Sequence, residues 1–346
     1  MASELSLPYV AFESTSRCNL DCRYCYNIWK RPGSHARPGA SYSQAIRTLR
    51  RLFAVADVGH LTMTGGEPFR GERFAEVVLF ARLKGKSVSV ITNGAAASAD
   101  DYRDLAEMGV RLLELPLHSP EPGPHDWLTC VPGSWARSLG SMEQITALGM
   151  EAHGVIVVTR KNFHLVRETM ALMQRAGVRR VMVNRFNVGG RGVAQRALLS
   201  PTPQQLHRAF TDADRAARRS GMRVTSNICL PPCVLDPRRF PAVRFSCCSG
   251  DPRSMPVTVD LQGDVRLCNH SPVKIGNVFA RSVAQIFSSD YVRRWRDEVP
   301  AGCAGCGDFS RCRGGCRAAS EQLGLGLGAA DPVVPGCQPG PGKRAA

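Results

Sequence analysis

Cys18, Cys22 and Cys25 share one short stretch near the N-terminus of this sequence. Three thiolates so close together can bind three irons of a cubane cluster, whereas four are needed to close it. The fourth iron would then be open to a substrate or cofactor. A zinc ion would need a fourth ligand close by, and the neighbouring residues offer none at an obvious spacing. The spacing therefore indicates a four-iron cluster with one open coordination site.

Two glycine-containing motifs follow the second and third predicted strands: residues 64–68 read TGGEP and residues 92–94 read TNG. Together with the cysteines they resemble the signature of radical S-adenosylmethionine (SAM) enzymes. The resemblance implies that Tyr24 lies beside the adenine, and that the TGGEP backbone and Glu67 contact the methionine ammonium of SAM. Glycine allows such a close approach of the backbone to a ligand. The residues that these motifs predict to bind the cofactor are Tyr24, Gly65, Gly66, Glu67, Pro68 and Asn93.

The match to this family is looser after strands four and six. Many relatives carry Ser-Leu-Asp-Gly after strand four, but here Pro116 stands at the Ser position and His118 at the Asp position. By the resemblance, Ser119 is the residue of this loop expected to contact SAM. Asn184 and Arg185 end strand six, where relatives contact the adenosine. We predict them as adenosine ligands, with surface positions as the equally weighted alternative.

A second group of cysteines follows residue 247. Cys248 and Cys268 flank Gly263 in the spacing Cys-x14-Gly-x4-Cys, and the pattern Cys-x2-Cys-x5-Cys-x3-Cys begins at Cys303. With one more cysteine near the C-terminus, this pattern resembles the SPASM extension of radical SAM enzymes, which holds two auxiliary 4Fe–4S clusters. By the resemblance, one cluster is held by Cys303, Cys306, Cys312 and Cys337, and the other by Cys248, Cys268, Cys316 and an upstream cysteine, either Cys233 or Cys247.

Two alternatives bear on the remaining cysteines. A zinc ribbon formed by the four cysteines from Cys303 to Cys316 is the main competitor of an auxiliary cluster. Cys130 and Cys229 are left over, and we predict both to be small buried apolar residues. Disulfides are a poor account of 14 cysteines, because the sequence lacks a signal peptide and a reducing cytosol disfavours them. We therefore expect a cytoplasmic protein whose cysteines mainly bind metal.

The elements that must position these residues alternate along the chain. Apolar runs predict six strands and amphipathic patterns predict helices between them, so we expect a parallel sheet with helices outside. The fold class is α/β: a partial (β/α)6 TIM-like barrel of the radical SAM type, then a small cysteine-rich α+β SPASM domain. The predicted strands are 9–13, 60–64, 87–91, 111–115, 152–158 and 180–184. The predicted domains are 1–200 for the barrel, 201–240 for a helix and linker, and 241–346 for the extension.

The net charge is +16, which raises the question of nucleic acid. The basic residues are spread along the chain, and thiolate-ligated clusters would bring negative charge, so we do not expect a nucleic-acid partner. An acidic peptide or a phosphorylated substrate fits the charge at least as well. No apolar stretch is long enough for a membrane span, and we expect no membrane partner.

The resemblance implies an oxidoreductase that cleaves SAM to a 5′-deoxyadenosyl radical and abstracts hydrogen from an unactivated C–H bond. A flavodoxin or ferredoxin would supply the electron. We prefer a small natural product as substrate, such as a sugar or aminocyclitol that is dehydrogenated or epimerised, because Cys18 leaves no room before it for a leader-binding domain. The alternative is a SPASM maturase that cross-links or otherwise modifies a ribosomally made precursor peptide. A non-catalytic iron–sulfur electron carrier is the alternative of another class. The sequence does not identify a catalytic base.

Overall fold

The computed structural model describes residues 6–31, 41–248, 251 and 254–334. Six parallel strands run in sequence order through the N-terminal half, each paired with the next. This confirms the predicted α/β class and its six-stranded parallel core. The strands are β1 (Ser6–Thr15), β2 (Asp57–Gly65), β3 (Ser87–Ile91), β4 (Leu112–Pro116), β5 (Glu151–Val158) and β6 (Arg180–Arg185).

Helices connect the strands, as parallel pairing requires. Ser98 and Asp101 form a capping box at one helix start, and Thr202 and Gln205 form another, so local sequence fixes where these helices begin. A helix at Pro122–Thr129 was not anticipated. The helices are α1 (Tyr42–Val55), α2 (Phe74–Leu83), α3 (Ala99–Glu107), α4 (Pro122–Thr129), α5 (Ser134–Ala147), α6 (Val166–Arg175), α7 (Arg196–Leu199) and α8 (Pro203–Ser220).

Alternation along the strands gives the sheet two faces. On β4, Leu113 and Leu115 are fully buried in the main apolar core. Helix residues such as Leu105 and Ile145 belong to the same core, so this face packs beneath the helices. Successive side chains of a strand point to opposite faces. Glu114, which stands between the two leucines, therefore lines the interior of the barrel.

The sheet continues past the sixth strand. β7 (Arg223–Ser226) pairs in parallel with β6, and β8 (Val243–Phe245) pairs in parallel with β7. Within 201–240, which we expected to be a helix and linker, the helix α8 is therefore followed by a strand of the main sheet. The predicted domain boundaries stay a prediction.

The cysteine-rich region joins the opposite edge of the same sheet. β9 (Val257–Asp260) pairs in parallel with β1, and β10 (Asp264–Arg266) and β11 (Gly276–Asn277) follow in antiparallel order. Four short helices complete the region, which agrees with the predicted α+β extension. They are α9 (Val283–Phe287), α10 (Asp290–Asp297), α11 (Phe309–Cys312) and α12 (Arg317–Gln322).

Side chains fasten this extension to the barrel. The Thr48 hydroxyl on α1 donates to the Leu261 carbonyl at 2.7 Å, and Arg51 Nε donates to the Val278 carbonyl at 2.8 Å. Glu13 on β1 and Arg266 on β10 form a buried ion pair. Among the described helices, none combines the length and apolar character needed to cross a membrane.

Candidate functional site

Cys18, Cys22 and Cys25 lie in the loop that follows β1. The Leu20 backbone N–H donates to Cys18 Sγ at 3.5 Å. Burial raises the pKa of Cys22, and the neighbouring Cys25 raises it further. Burial likewise raises the pKa of Cys25 to about 11. Thiols that are buried side by side ionise readily only when a cation compensates their charge, so this donor set suits iron.

The two glycines of TGGEP pack directly against the cysteine loop. The Gly66 N–H donates to the Thr15 carbonyl and the Glu67 N–H to the Arg17 carbonyl, both at 2.7 Å. A Cβ on Gly66 would lie 2.1 Å from the Arg17 carbonyl oxygen, and Gly65 has φ +130°. Only glycine fits at either position. Backbone contact alone thus accounts for the two glycines, without a ligand. Pro68, the last residue of the motif, is buried and begins a short helical turn.

The carboxylate of Glu67 is fully buried and connects the TGGEP motif to the TNG motif. It accepts the Thr92 hydroxyl and the Asn93 backbone N–H, both at 2.7 Å. Burial raises the pKa of Glu67 to about 7, although these hydrogen bonds act in the opposite direction. The structure therefore gives Glu67 a loop-fastening role that the sequence did not suggest. Its contact with the methionine ammonium of SAM stays a prediction.

Asn93 reaches from the third motif to the cysteine loop. Its amide Nδ2 donates to Asn19 Oδ1 at 2.8 Å and lies 3.9 Å from Cys18 Sγ. Its carbonyl oxygen accepts the Ser138 hydroxyl at 2.8 Å, which ties the loop to α5. The three sequence motifs are thus gathered at the carboxyl end of the first three strands, where a parallel sheet normally binds its ligands.

The loop after β4 differs from expectation at Ser119. This residue is fully buried, and its hydroxyl donates to the Glu121 carbonyl within the same loop. The hydroxyl that we expected at SAM is therefore engaged by the protein itself. Tyr24 stands edge-on against the His118 ring, with centroids 4.7 Å apart. A hydrogen bond fixes the His118 ring in this loop: its Nδ1 accepts the Val157 N–H at 3.3 Å.

Asn184 and Arg185 also have other partners than the adenosine that we expected. Asn184 Oδ1 accepts the Asn227 backbone N–H at 2.7 Å. The Arg185 guanidinium is buried, donates to the Cys229 carbonyl at 3.0 Å and forms an ion pair with Asp331. Arg185 therefore fastens the C-terminal region to β6. Arg185 is therefore not a surface residue, and its contact with adenosine stays a prediction.

Cys248, Cys268 and Cys316 are brought together in the extension. Burial raises the pKa of Cys268, and the nearby Cys316 and Cys248 raise it further. Burial also raises the pKa of Cys316 to about 11, and Asn187 Nδ2 donates to its sulfur at 3.2 Å. These buried sulfurs, like those of the N-terminal loop, form a donor set that suits an iron–sulfur cluster.

Cys229, Cys247 and Cys312 form a separate group of hydrogen-bonded thiols. Hydrogen bonds with Cys229 lower the pKa of both Cys247 and Cys312 and raise that of Cys229. From the sequence we predicted that Cys229 is a small buried apolar residue. The structure confirms that it is buried and shows in addition that its thiol hydrogen-bonds to two other cysteines. Cys247, one of our two candidates for the cluster of Cys268, contacts this second group instead.

The other cysteines are less informative. Cys303 and Cys306 occupy a turn closed by the Cys306 N–H and the Cys303 carbonyl at 3.2 Å, and Cys306 and Cys233 are exposed. Cys130 lies at the end of α4. In the described ranges, no three His, Cys, Asp or Glu side chains are placed to hold a single metal ion. The zinc ribbon stays an alternative. Cys337 lies outside the described residues.

Sequence reasoning missed several residues inside the barrel. Tyr26 stacks on His270 with ring centroids 3.9 Å apart, and the Asn269 amide donates to the Tyr26 hydroxyl at 2.9 Å. Glu114 lies on the interior face of β4. Of these, Glu114 had a detectable signal, since a charged residue within the apolar run Leu112–Pro116 is unusual for a strand of a parallel sheet. The contacts of Tyr26 and Asn269 depend on tertiary structure alone.

Comparison with known proteins agrees with this geometry. A family model described as the radical SAM superfamily matches residues 12–173, and the SPASM model, described as an iron–sulfur cluster-binding domain, matches residues 248–308. A PqqA peptide cyclase of Xanthomonas campestris pv. campestris is 26% identical over 332 residues, which cover 94% of this chain and 85% of the cyclase. The mycofactocin maturase MftC of Mycolicibacterium smegmatis is 26% identical over 334 residues, which cover 93% of this chain and 81% of the maturase.

A solved structure shows the same fold. The crystal structure of Streptococcus suis SuiB bound to its precursor peptide SuiA superposes with a TM-score of 0.73, at 15% sequence identity. The match covers 97% of this chain and 76% of SuiB.

Proposed function

Because this chain is a radical SAM superfamily enzyme with a C-terminal SPASM domain, we propose that it oxidises a ribosomally made precursor peptide. The observation that carries the proposal is the similarity to a PqqA peptide cyclase along 94% of this chain. The relatives described above do not support the sugar or aminocyclitol that we preferred from the sequence. The peptide alternative therefore becomes the principal hypothesis.

The two domains imply a SAM-binding 4Fe–4S cluster, auxiliary iron–sulfur clusters and SAM as cofactors. When bound, the first cluster and SAM supply a 5′-deoxyadenosyl radical able to remove hydrogen from an unactivated C–H bond. In our proposal Cys18, Cys22 and Cys25 hold that first cluster. The TGGEP loop lies against the backbone of residues 15–17, just before these cysteines, and offers its own backbone to SAM. The interior face of the barrel surrounds the reacting residue of the peptide and keeps water away from it.

Charge supports a peptide of a particular kind. The chain carries 45 Lys and Arg against 29 Asp and Glu, which favours association with an acidic leader segment. We further propose that a flavodoxin or ferredoxin donates the electron.

The test combines two measurements on the anaerobically reconstituted, reduced protein. SAM is added together with synthetic peptides encoded by short genes beside the gene of this protein. We expect 5′-deoxyadenosine to form, and one of the peptides to lose two hydrogen atoms in the mass spectrum. A peptide of the same composition in scrambled order is the control.

A different pattern would contradict the proposal. SAM cleavage that leaves every neighbouring peptide unchanged, but accompanies oxidation of a sugar or aminocyclitol, would restore the small-molecule hypothesis. A fully iron-loaded protein that never cleaves SAM, with or without peptide, would favour the electron carrier.

A further inference from the structure

Glu114 is the charged residue within the apolar strand β4. Its neighbours Leu113 and Leu115 are fully buried beneath the helices, so Glu114 lies on the interior face of the barrel. It stands two residues before Pro116, the last residue of the strand. Its backbone carbonyl accepts the Thr92 N–H at 3.0 Å, which places it next to the third motif. Glu114 is therefore close to the end of the barrel where the motif loops gather.

The strand register places a row of residues across the interior face at this level. Ile91 on β3 pairs with Glu114, Glu114 pairs with His153 on β5, and His153 pairs with Arg180 on β6. Paired residues of parallel strands point to the same face. Glu114 thus lies between an apolar side chain and a histidine, with the nearest arginine one strand further away.

The carboxylate of Glu114 has no partner in the part of the chain that the structure describes: no hydrogen bond and no ion pair reaches its side chain. Other acidic side chains near this end of the barrel are engaged, including Asp260 beside Glu13, whose Oδ1 accepts the Gln262 and Asp264 backbone N–H groups at 3.0 Å. Glu13 forms an ion pair with Arg266, and Glu67 accepts from Thr92 and Asn93. Burial alone raises the pKa of Glu114 to about 7. An unpaired carboxyl group in such a place is a common property of functional sites.

Glu114 faces the space beside the first cysteine loop. Tyr26 directly follows Cys25 in the chain. Burial raises the pKa of Tyr26, and the negative charges of Cys25, Glu13 and Glu114 raise it further. The Glu114 carboxylate therefore interacts electrostatically with the phenol of Tyr26, which borders the predicted cluster ligands. A substrate residue presented to that cluster would pass near the Glu114 carboxylate.

We propose that Glu114 accepts the proton that the precursor peptide loses when it is oxidised. The inference rests on the proposed function and names the group that the sequence did not identify. In a cyclisation, one C–H bond and one X–H bond of the peptide break, where X is nitrogen, oxygen or carbon, and one C–X bond forms. The hydrogen atom passes to the deoxyadenosyl group derived from SAM, the remaining electron to an iron–sulfur cluster, and the X–H proton to a carboxylate oxygen of Glu114.

His153, the neighbour of Glu114 in the register, is a weaker candidate for this role. Burial, together with the nearby charges of Arg180 and Arg223, lowers the pKa of His153 to about 4. A base works best when its pKa is close to the working pH. Glu114 meets that condition, whereas His153 stays neutral and accepts a proton poorly.

The test compares E114Q and E114D with the wild-type protein and with E151Q. Glu151 is the matched control because it lies on the same interior face, on β5, but pairs with Arg180 at 2.5 Å and is two residues further from the motif loops. We expect E114Q to form 5′-deoxyadenosine while peptide product falls about 10²- to 10⁴-fold, the usual contribution of a general base. E114D should recover part of the product, and E151Q should keep the wild-type yield.

Two pH measurements separate a proton acceptor from a merely structural residue. The deprotonated fraction of a group with a pKa of about 7 increases as the pH rises through 7. Product formation by the wild-type protein should therefore rise over the same range, and E114Q should show no such rise. Of the other groups near this space, Glu67 has a pKa that burial raises to about 7 as well, so the comparison with E114Q is what assigns the rise to Glu114. Burial raises the pKa of Tyr26 and lowers that of His153, and Glu13 and Arg266 pair with each other. Without substrate, infrared difference spectra of wild type against E114Q should show a protonated carboxyl band that disappears with the same midpoint.

The outcomes distinguish this inference from the proposed function. If the wild type modifies the peptide and E114Q does so at the same rate and with the same pH profile, the role of Glu114 is overturned and the proposed function stands. If the wild type modifies no precursor peptide, the proposed function fails and this inference fails with it. If E114Q binds less iron than the wild type, E114D decides: a fully loaded E114D whose product formation no longer depends on pH overturns the role.

Discussion

At this site, contacts within the protein already restrict which residue types fit, before any ligand is bound. Gly66 illustrates this, because a Cβ there would lie 2.1 Å from the Arg17 carbonyl oxygen and 2.8 Å from that of Ser16. Both contacts are with backbone atoms, which cannot rotate away. The TGGEP loop therefore holds the cysteine loop in place through a contact that any side chain would block.

We predict that Gly66→Ala weakens SAM binding about 10- to 100-fold, because relieving the overlap costs about 1–3 kcal/mol in a packed site. Titration calorimetry of the cluster-loaded protein with SAM measures the effect. Gly140→Ala is the matched control: Gly140 lies inside α5 with open space at its Cβ position. That variant should bind SAM normally and melt slightly higher, by the equivalent of about 0.5–1 kcal/mol. Unchanged SAM affinity in Gly66→Ala would contradict the assigned role of the contact.

The sequence was more informative about which residues matter than about what they touch. Cysteine spacing and the TGGEP and TNG motifs indicated loops that the structure brings together, because short-range patterns encode them. The hydroxyl of Ser119 and the guanidinium of Arg185 have partners that no local pattern specifies. Glu114 and Cys229 required the strand register and the tertiary neighbours before either could be singled out.

Elements were predicted well where their patterns were long. The six barrel strands carry enough residues for apolar runs to be visible. The strands β9 to β11 are four, three and two residues long, so they show no reliable periodicity. Their pairing with β1 also joins segments far apart in the chain. Local patterns therefore do not predict that these strands extend the sheet of the barrel, which is continuous through the described chain.

The Glu13–Arg266 ion pair connects the two parts of that sheet, and we predict that its two charges depend on each other. Both side chains are buried, at 3% and 0% exposure. Arg266→Met alone leaves an unpaired buried carboxylate and should cost about 3–5 kcal/mol of unfolding free energy. The double variant Glu13→Gln with Arg266→Met should recover a large part of this loss. Urea unfolding of the four proteins of this double-mutant cycle measures the coupling, and additive effects would contradict it.

At the scale of the whole molecule, nine of the described thiols fall into three spatial groups. One lies beside the TGGEP loop, one is built around Cys268, and one around Cys312. Fourteen cysteines in the chain are enough for three four-iron clusters. The negative charge that such clusters add would offset part of the net +16 of the polypeptide.

We predict that replacing Cys18, Cys22 and Cys25 by Ala together removes roughly a third of the bound iron and abolishes SAM cleavage. The extension does not use these residues, so its clusters should remain. Iron analysis and a 5′-deoxyadenosine assay of the reconstituted protein provide the measurement. Gly140→Ala is the control, because Gly140 lies inside α5 with open space at its Cβ position. A triple variant that keeps all its iron would place the first cluster elsewhere.

The pairing of β1 with β9 also has a consequence for biosynthesis. Val10 is aligned with Val257, so the ribosome adds 247 residues between these two paired positions. At about 5–20 residues per second, that interval lasts about 12–50 s. For that time one side of the strand offers unsatisfied amide and carbonyl groups, a template for pairing with other nascent chains. Slow elongation would prolong this period. Chaperones that bind extended segments would reduce pairing of the exposed strand edge with other chains.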